Sequence, residues 1–571
     1  MRMIFLVFLA SVAHAEHFPA LQGQHGMVAA DSALAAQVGA DLLSAGGDAV
    51  DAAVATALVL GVVQPFASGI GGGGFAVVYR TDGTAFALDF REVAPAGATR
   101  DMYLDSQGNV VPDASTLGPR AAGVPGEVAG LFELHRRHGR LPWKQVVAPA
   151  VKLARDGFAM HPLLQGRVAA KRDAIAQIPD LAQSFLDAAG QPLPLGALVR
   201  RPALARTLAA VQARGSKGFY EGAVAAELAR AQAADGGLIT AADLATYRWK
   251  ERPLLRGTWR GFEVLSMPPP SSGGVVLMQV LRVLETDDLV ALGHNSSAYL
   301  HRLAEALKHA FADRARVMGD PDFTPVPVEA LVGDAAVARV RAAIKPDATL
   351  PREAYGDPAA VPEDGGTSHL SVIDAQGNAV ALTTTVNTAF GSLYVAGNTG
   401  ILLNNEMDDF VAKPGVPNAF GLVGRAANAV QAGKRPLSSM TPTLVLKDGR
   451  VVLAVGGSGG PTIITATIQV LLNILIFQQD PRAAVEAPRI HHQWLPEVLA
   501  VEAGIPADVT EALGRRGHAV KPAGRFSAVQ AIVVGPDGLR GASDPSKLGA
   551  PASARPHKSL KSKQKGSQRV P

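Results

Sequence analysis

The 571-residue sequence contains no cysteine, so disulfide bridges and cysteine nucleophiles are both excluded. It also lacks internal repeats with a period of about 20–50 residues, which excludes solenoids and propellers. No long linker rich in proline and serine divides the interior. Because 48% of the residues are apolar, the chain can bury a large core, and we expect one interwoven body rather than a string of domains.

Acidic residues are missing from the C-terminal segment 546–571, which carries seven lysines and arginines. Subtracting these seven charges from the net charge of +4 leaves −3 for the rest of the chain. The sequence pI of about 9.2 is therefore a property of the tail, and a basic face that binds nucleic acid is excluded. Because this segment is rich in Ser, Lys, Pro and Gln, we expect a disordered tail over 546–571.

The N-terminal apolar run Met3–Ala10 is too short to span a bilayer. It follows Arg2 and precedes Ala13–Ala15, which satisfies the small-x-small rule for a cleavage site. The pattern predicts a secretory signal peptide over residues 1–15, and hence export, to the periplasm if the source is bacterial. A buried N-terminal strand is the alternative.

The stretch Thr367–Asp374, preceded by Gly365 and Gly366, indicates a nucleophile that a chain break would uncover. An internal threonine is a poor nucleophile, but at a new N-terminus its α-amine, with an ordinary pKa of about 7.7–8.0, can act as general base. A cut after Gly366 would create both groups at once. Taken alone, the same stretch is typical of a glycine turn that enters an ordinary strand.

Residues 367–386 form the pattern of a β-hairpin whose turn is centred on Gln376. Pairing that is symmetric about Gln376 places Thr385 opposite Thr367, with their Cβ atoms about 4.5–5.5 Å apart. Asn387 then lies two residues further along on the same face. The hairpin thus brings a second hydroxyl to the proposed nucleophile, provided that the loop has five residues.

Ordered motifs occur in both halves of the chain. Those of the C-terminal part are Thr367–His369, Thr385–Asn387, Asn404–Phe410, Arg435–Met440 and Gly459-Gly460. Those of the N-terminal part are Gly46–Ala53, Gly71–Phe75, Asp89–Glu92, Met267–Gly274 and Gly319–Phe323. In order and spacing they resemble the γ-glutamyltransferases (γ-glutamyl transpeptidases), members of the N-terminal nucleophile hydrolases, and the resemblance runs from about Gly26 to Pro545.

The resemblance implies an α+β fold, the four-layer αββα sandwich in which two antiparallel sheets lie between helical layers. It also implies a zymogen that cleaves itself after Gly366 into a heterodimer of a large subunit, 16–366, and a small subunit, 367–571. Asp347–Gly365, rich in Pro, Glu, Asp and Gly, is expected to be exposed, as cleavage requires. Helical periodicity is seen at Ala30–Ala45, Val50–Val63, Ala203–Arg214, Ser297–Met318 and Ile463–Ile476, and strand patterns at Phe75–Tyr79, Val372–Val386 and Val451–Val455.

The resemblance also implies the chemistry. Thr367 would take the γ-glutamyl group from glutathione or a similar amide and pass it to water, an amino acid or a peptide, without a metal or cofactor. Thr385 would orient the nucleophile, and the backbone N–H groups of Gly459 and Gly460 would form the oxyanion hole. The substrate-binding residues would be Arg91, Ser438 and Ser439 for the α-carboxylate, and Asn387, Glu406 and Asp409 for the α-ammonium.

A nucleophile elbow is the main competing interpretation. Gly456–Gly460 fits G-x-S-x-G between a strand pattern and a helical run, which would make Ser458 the nucleophile of an α/β-hydrolase. However, only 113 residues follow Ser458, too few for the remaining strand-helix units and both partners of the triad.

Two further alternatives keep the same fold. A glutaryl or cephalosporin-type acylase would use Thr367 but would not need an ammonium pocket, so the presence of Asp409 argues against it. An inactive periplasmic binding protein would keep the pocket without turnover. Nothing in the sequence requires this alternative, because Thr367, Thr385 and both glycines are present.

Two positions depart from the pattern of many relatives. Gly457-Ser458 stands where many have Ser-Pro before the glycine pair, which would make the oxyanion loop softer. Phe420 lies in the lid-like segment Lys413–Gln431 where many bacterial relatives have tyrosine, so a hydrogen bond from that side chain is missing.

Two other patterns are weaker. Gly69–Gly74 fits G-x-G-x-x-G, but a helix precedes it and a strand follows, the reverse of a dinucleotide site, so a turn that permits close backbone packing is expected. His491 and His492 are adjacent and their side chains diverge, so a structural role beside Trp494 is expected rather than a metal site.

Overall fold

A computed structural model describes residues 19–356 and 366–556. The expected signal peptide over 1–15 and the glycine at 365 lie outside the described residues. The strands are β1 (Leu21–Gly23), β2 (Gly26–Ala30), β3 (Gly73–Tyr79), β4 (Ala85–Asp89), β5 (Phe158–Ala159), β6 (Leu198–Val199), β7 (Lys250–Arg252), β8 (Leu255–Trp259), β9 (Phe262–Ser266), β10 (Gly366–Asp374), β11 (Ala379–Asn387), β12 (Thr443–Lys447), β13 (Arg450–Ser458), β14 (Ile490–His491), β15 (Leu499–Glu502), β16 (Val520–Ala523), β17 (Ala528–Gly535), β18 (Gly538–Ser543) and β19 (Ala550–Ser553).

The helices agree with the periodicity of the sequence. They are α1 (Ala33–Ser44), α2 (Ala49–Val63), α3 (Glu127–His138), α4 (Trp143–Asp156), α5 (Pro162–Ala170), α6 (Arg172–Ala176), α7 (Pro179–Phe185), α8 (Pro202–Arg214), α9 (Lys217–Tyr220), α10 (Ala223–Ala234), α11 (Ala241–Thr246), α12 (Gly273–Val283), α13 (Leu289–Leu292), α14 (Ser297–Val317), α15 (Val328–Val332), α16 (Asp334–Ala343), α17 (Thr462–Leu475), α18 (Pro481–Glu486) and α19 (Ala507–Arg515). None of those within the described ranges combines the length and the apolar character needed to cross a bilayer.

Two antiparallel sheets of seven strands form the centre of the molecule, in the orders β1-β18-β17-β13-β12-β9-β8 and β19-β2-β10-β11-β3-β4-β7. Their facing sides bury one apolar cluster, which includes Met27, Phe75, Leu444 and Ile532. Helices α1 to α4 cover the outer face of the second sheet, and α12, α14 and α17 cover that of the first. The fold is the αββα sandwich that the resemblance implies.

The hairpin of β10 and β11 has the register expected from the sequence. Thr367 pairs with Thr385, and the pairing is continuous as far as Ile373 opposite Ala379. The register shifts between Gly366, which pairs with Asn387, and Thr367, so the ladder is irregular at the expected cleavage site. The five-residue turn sets this register, since a slip of one residue would turn every buried side chain to the other face.

The glycine-rich segment before β3 packs closely against this hairpin. A Cβ on Gly72 would lie 1.9 Å from the carbonyl oxygen of Thr385, so only glycine allows the two backbones to approach. The carbonyl oxygen of Gly72 in turn accepts hydrogen bonds from the N–H groups of Gly126 and Glu127. The prediction of a turn with close backbone packing is confirmed, and this packing holds β11 in position.

The expected disordered tail over 546–571 is wrong for its first part. Strand β19 pairs with β2 at the edge of a central sheet, and Ala552 and Ala554 are buried. The basic composition of 546–571 as a whole hid this short apolar stretch, because most of its lysines come after it. The end of the segment, 557–571, lies outside the described residues.

Two truncations separate these parts. A protein that ends at Arg555 should keep the stability and activity of the full chain, because β19 is intact. Ending at Gly549 removes the backbone bonds of β19 and its buried alanines, and we expect a loss of about 2–4 kcal/mol in unfolding free energy. Denaturant titration of both proteins measures this difference. Equal stability of the two would show that β19 contributes nothing to the fold.

Candidate active site

Thr367 lies at the start of β10, and its side chain is buried. Its Oγ1 is 3.3 Å from Oγ1 of Thr385. The Thr385 hydroxyl donates to the carbonyl oxygen of Gly366 at 2.8 Å and accepts from the N–H of Asn387 at 2.8 Å. Since the Thr385 proton is directed at Gly366, the Thr367 hydroxyl is left to donate to Thr385. One hydroxyl thus contacts both the candidate nucleophile and the carbonyl that it would attack.

Asn387 ends β11 in the left-handed region, with φ of 79°. Asparagine tolerates this conformation better than most residues. Its side-chain amide donates to the carbonyl oxygen of Asn405 at 3.0 Å, which holds it at the mouth of the hairpin beside Thr367.

Arg91 provides the positive charge of the site and is buried. Its guanidinium is paired with the carboxylates of Glu406 and Asp409, and its Nε donates to the carbonyl oxygen of Pro436 at 3.2 Å. Burial alone would lower the pKa of Arg91, but the carboxylates of Glu406 and Asp409 outweigh burial and raise it. Arg91 therefore stays protonated, and its partners Glu406 and Asp409 could also bind an ammonium group.

The two serines of the site are held by the motif Met267–Gly274 of the N-terminal part. The carbonyl oxygen of Ser438 accepts from both the N–H and the hydroxyl of Ser272, at 2.8 and 2.7 Å. Arg314 of α14 donates to Ser272 Oγ at 2.9 Å and to Ser439 Oγ at 3.4 Å. Sequence reasoning missed Arg314, which only its place on the buried face of a long amphipathic helix could have indicated.

Nine of the predicted residues line one small cavity of about 20 Å³. Its lining includes Arg91, Thr367, Thr385, Asn387, Glu406, Asp409, Ser438, Ser439 and Gly460. Gly459 does not line this cavity. It lines a neighbouring cavity on the other side of the loop that Gly459 and Gly460 form, which we call the glycine loop. A volume of about 20 Å³ holds about one water molecule. A substrate therefore requires part of the wall to move.

The part of the wall that we expect to move is the lid-like segment 413–431, whose Phe420 lines the cavity. Asn418 donates to Asp409 at 3.2 Å, which ties the lid to the charged end of the pocket. A Cβ on Gly460 would lie 2.7 Å from the Phe420 ring, so the phenyl group packs directly on the glycine loop. The lid thus closes by apolar contact at the position where a tyrosine hydroxyl is missing.

Gly459 and Gly460 have φ of 140° and 62°, which other residues rarely adopt. Neither backbone N–H donates to an acceptor within the described part of the chain. The preceding Ser458 is buried, and its hydroxyl donates to Asp31 at 2.6 Å. This bond anchors the loop that the absence of proline was expected to soften. The glycine pair therefore offers two free donors beside the pocket of Thr367.

The elbow interpretation of Ser458 is wrong. Its hydroxyl is bound to a carboxylate rather than to a histidine, and its strand β13 belongs to an antiparallel sheet. An α/β-hydrolase elbow requires a parallel sheet and a histidine base. The local pattern is the same in both folds, and only the strand directions distinguish them.

Asp31 joins the nucleophile strand, the glycine loop and the C-terminal segment. Besides Ser458, it accepts from the amide of Gln530 at 2.5 Å and lies 3.3 Å from Nζ of Lys547. Nζ of Lys547 also donates to the carbonyl oxygen of Thr367. Burial raises the pKa of Asp31, and the charge of Lys547 opposes it. Sequence reasoning missed this network because Lys547 was assigned to a disordered tail.

His369, two residues after the nucleophile, is the rival base. Its Nδ1 is 2.8 Å from Thr383 Oγ1 and its Nε2 is 3.2 Å from Ser371 Oγ. Burial between the sheets lowers the pKa of His369 to about 3. Both ring nitrogens are thus engaged away from Thr367, and the imidazole does not titrate near neutral pH.

The pair His491-His492 has the structural role expected from the sequence. His491 is 3.0 Å from Thr465 Oγ1 and 2.9 Å from Gln493 Oε1. His492 accepts from the backbone N–H of Trp494 at 3.1 Å. The two rings therefore serve separate hydrogen bonds.

A second group, His301, Glu305 and His518, brings three metal-ligating side chains within 4.8 Å of one another. The imidazoles bond to each other at 2.7 Å, and Glu305 accepts from Tyr355 at 2.5 Å. The ammonium of Lys308 lies 3.6 Å from Glu305, which disfavours a metal cation there. We interpret the group as a buried hydrogen-bonded cluster.

The chain is similar to known proteins over most of its length. The gamma-glutamyltranspeptidase family matches residues 35–554. A glutathione hydrolase proenzyme of Escherichia coli is 44% identical over 530 residues, covering 92% of this chain and 91% of that protein. One from Pseudomonas aeruginosa is 44% identical over 526 residues, covering 91% and 93%. Among solved structures, a cephalosporin acylase from Bacillus halodurans aligns with a TM-score of 0.83 at 28% identity, covering 97% of this chain and all of that one.

Proposed function

Since the chain belongs to the gamma-glutamyltranspeptidase family, we propose that it cleaves the γ-glutamyl amide of glutathione through an acyl-enzyme on Thr367. It is an autoprocessed enzyme of the glutathione hydrolase type, with γ-glutamyl donors and acceptors as its substrates. The observation that carries the role of Thr367 is the hydroxyl of Thr385, which joins Thr367 to the Gly366 carbonyl.

Maturation uses this contact. The Thr367 hydroxyl attacks the Gly366 carbonyl carbon, and Thr385 donates to the oxygen that becomes negative. The Gly366–Thr367 amide bond breaks, its nitrogen takes the hydroxyl proton, and an ester joins Gly366 to Thr367 Oγ1. Water then hydrolyses the ester, leaving the Gly366 carboxylate and a free N-terminal threonine. The products are the large subunit 16–366 and the small subunit 367–571, which stay together as a heterodimer because β10 and β11 pair with strands of the large subunit.

The charged end of the cavity supports a γ-glutamyl donor. Its α-carboxylate would bind Arg91 and the hydroxyls of Ser438 and Ser439, and its α-ammonium would bind Asp409, Glu406 and Asn387. Because Arg91 is paired with both acids, the bound zwitterion enters a preformed arrangement of charges, with the ammonium beside the acids and the carboxylate beside the guanidinium.

In turnover the Thr367 amine takes the proton of the Thr367 hydroxyl as it attacks the γ-carbonyl carbon. Gly459 and Gly460 donate to the resulting oxyanion. The proton passes to the departing amine, and the γ-glutamyl ester remains on Thr367. Water then gives glutamate, or an amino acid or peptide gives a new γ-glutamyl amide. The residues described supply every group that these steps need, so neither a metal nor a cofactor enters the proposal.

A glutaryl or cephalosporin-type acylase is the second candidate, because a cephalosporin acylase shares the fold over the whole chain. A glutaryl group has a carboxylate but no ammonium. Glu406 and Asp409 line the small cavity and could bind that ammonium, which supports γ-glutamyl donors. We also infer export through the signal peptide at 1–15, to the periplasm if the source is bacterial.

The pH dependence of glutathione hydrolysis tests the base. Because the Thr367 amine must be uncharged to accept a proton, kcat/KM should rise with pH through one ionisation between about pH 6 and 9. Release of glutamate and cysteinylglycine measures the rate. A cleaved His369→Gln protein should keep this ionisation, since the pKa of His369, about 3, lies far below it. Loss of the ionisation in that variant would make His369 the base and refute the amine.

A further inference from the structure

A larger cavity, of about 790 Å³, lies beside the small one. Gly459 lines the large cavity and Gly460 the small one, while Phe420 and Pro461 line both. The glycine pair therefore stands at the boundary between them. A donor whose γ-glutamyl group fills the small cavity, with its carbonyl oxygen at the glycine pair, has its leaving group in the large cavity.

The side chains that line the large cavity carry charge of one sign. Arg167, Lys521, Arg525 and Lys547 contribute to it, and the described lining includes no aspartate or glutamate. Arg525 is paired with Asp544 at 2.8 Å, and Lys547 lies beside Asp31. Arg167 and Lys521 have no carboxylate within 4.0 Å in the described part of the chain, so two positive charges remain for a ligand.

Arg167 is the unpaired cation that lies beside Phe66 in the large cavity. Its guanidinium carbon lies 6.0 Å from the centre of the Phe66 ring. The backbone oxygen of Phe66 is 2.8 Å from the point where a Cβ of Gly366 would lie, so Phe66 borders the junction between Gly366 and Thr367. Lys547, which donates to Thr367, also feels the positive charge of Arg167. Arg167 is thus a neighbour of Phe66 and Lys547, two residues that border the junction between Gly366 and Thr367.

We propose that the large cavity is the subsite for the donor's leaving group and for the acceptor, and that Arg167 and Lys521 select partners that carry a carboxylate. This assignment rests on the proposed function. Cysteinylglycine leaves glutathione with a free carboxylate, and amino acids and peptides bring one as acceptors. The volume of about 790 Å³ accommodates a dipeptide with room to spare, so peptide acceptors fit as well.

Glutathione and its C-terminal amide are a matched pair of donors, since they differ only in the carboxylate of the leaving group. We expect kcat/KM for glutathione to exceed that for the amide by about five- to twenty-fold in the wild type, as a half-buried ion pair allows. Arg167→Gln should bring this ratio close to one, and Lys521→Gln should lower it. Lys171→Gln removes an exposed charge just after α5, outside the cavity, and should leave the ratio unchanged.

The acceptor side gives an independent readout. With γ-glutamyl-p-nitroanilide, whose leaving group is uncharged, glycylglycine should accept the γ-glutamyl group better than glycylglycinamide, and Arg167→Gln should abolish that preference. Equal wild-type rates for glutathione and its amide, or equal losses for both in Arg167→Gln, would overturn the subsite while leaving the proposed function intact. A cleaved wild-type protein that consumes none of these donors would overturn the function and the subsite together.

Discussion

Replacement of Thr367 by alanine should leave the protein as a single uncleaved chain and lower γ-glutamyl transfer by at least about 10⁴-fold. The variant loses the hydroxyl that lies beside Thr385, whose own hydroxyl donates to the Gly366 carbonyl, so neither the ester of maturation nor the acyl-enzyme can form. A denaturing gel with N-terminal sequencing measures the first effect. The wild type should give two fragments, of which the smaller begins Thr-Ser-His-Leu.

Ser458→Ala is the matched control, because it removes the other buried hydroxyl that a sequence motif could have made the nucleophile. It breaks the bond to Asp31 but leaves Thr367 and Thr385 in place, so this variant should still be cleaved. Its activity should fall by about tenfold at most, as expected for the loss of one hydrogen bond that positions the glycine loop. An active Thr367→Ala protein beside an inactive Ser458→Ala protein would reverse the assignment of the nucleophile.

Asp409→Asn should weaken γ-glutamyl donors by about ten- to hundred-fold and glutaryl donors much less. Only the γ-glutamyl group carries the ammonium that Asp409 would bind. The same carboxylate is paired with Arg91 and accepts from the lid residue Asn418, so part of the loss will be common to both donors. The ratio of kcat/KM for a γ-glutamyl amide to that for the glutaryl amide of the same amine isolates the ammonium contact.

Asp408→Asn is the control for this ratio. Asp408 is the adjacent acid in the chain, but it accepts from Ser115 at 2.7 Å and from the N–H of Ala419 at 2.8 Å, outside the cavity lining. Its replacement affects only the support of the lid, and should change both donors by the same factor. If Asp409→Asn lowered kcat/KM by the same factor for both donors, Asp409 would not bind the ammonium group, and an acylase would be favoured.

Local patterns were sufficient for the elements that hold the nucleophile. The hairpin register followed from a turn of five residues and a side-chain period of two, and the structure pairs Thr367 with Thr385 as expected. The helices at Ala33–Ser44 and Ser297–Val317 followed from apolar periodicity. The order of the motifs, through the resemblance, also led to nine of the residues that line the small cavity.

The contacts between distant segments could be decided only by the tertiary structure. Arg314, Asp31 and Lys547 reach the site from parts of the chain that no pattern links to Thr367; Asp31 and Lys547 alone are 516 positions apart. The small cavity of about 20 Å³ under the lid-like segment and the basic cavity beside it are likewise products of packing.

The sequence by itself determined how the hairpin presents Thr367 and Thr385, because turn length and side-chain alternation act within a few residues. The other candidate residues of the site followed from the resemblance to a family. The tertiary structure decided what surrounds them: the folded C-terminal strand, the anchor of the glycine loop and the charge of the second cavity. These depend on which faces of remote elements are buried together, and burial fixes the partners and charge of a side chain only after the two sheets have packed.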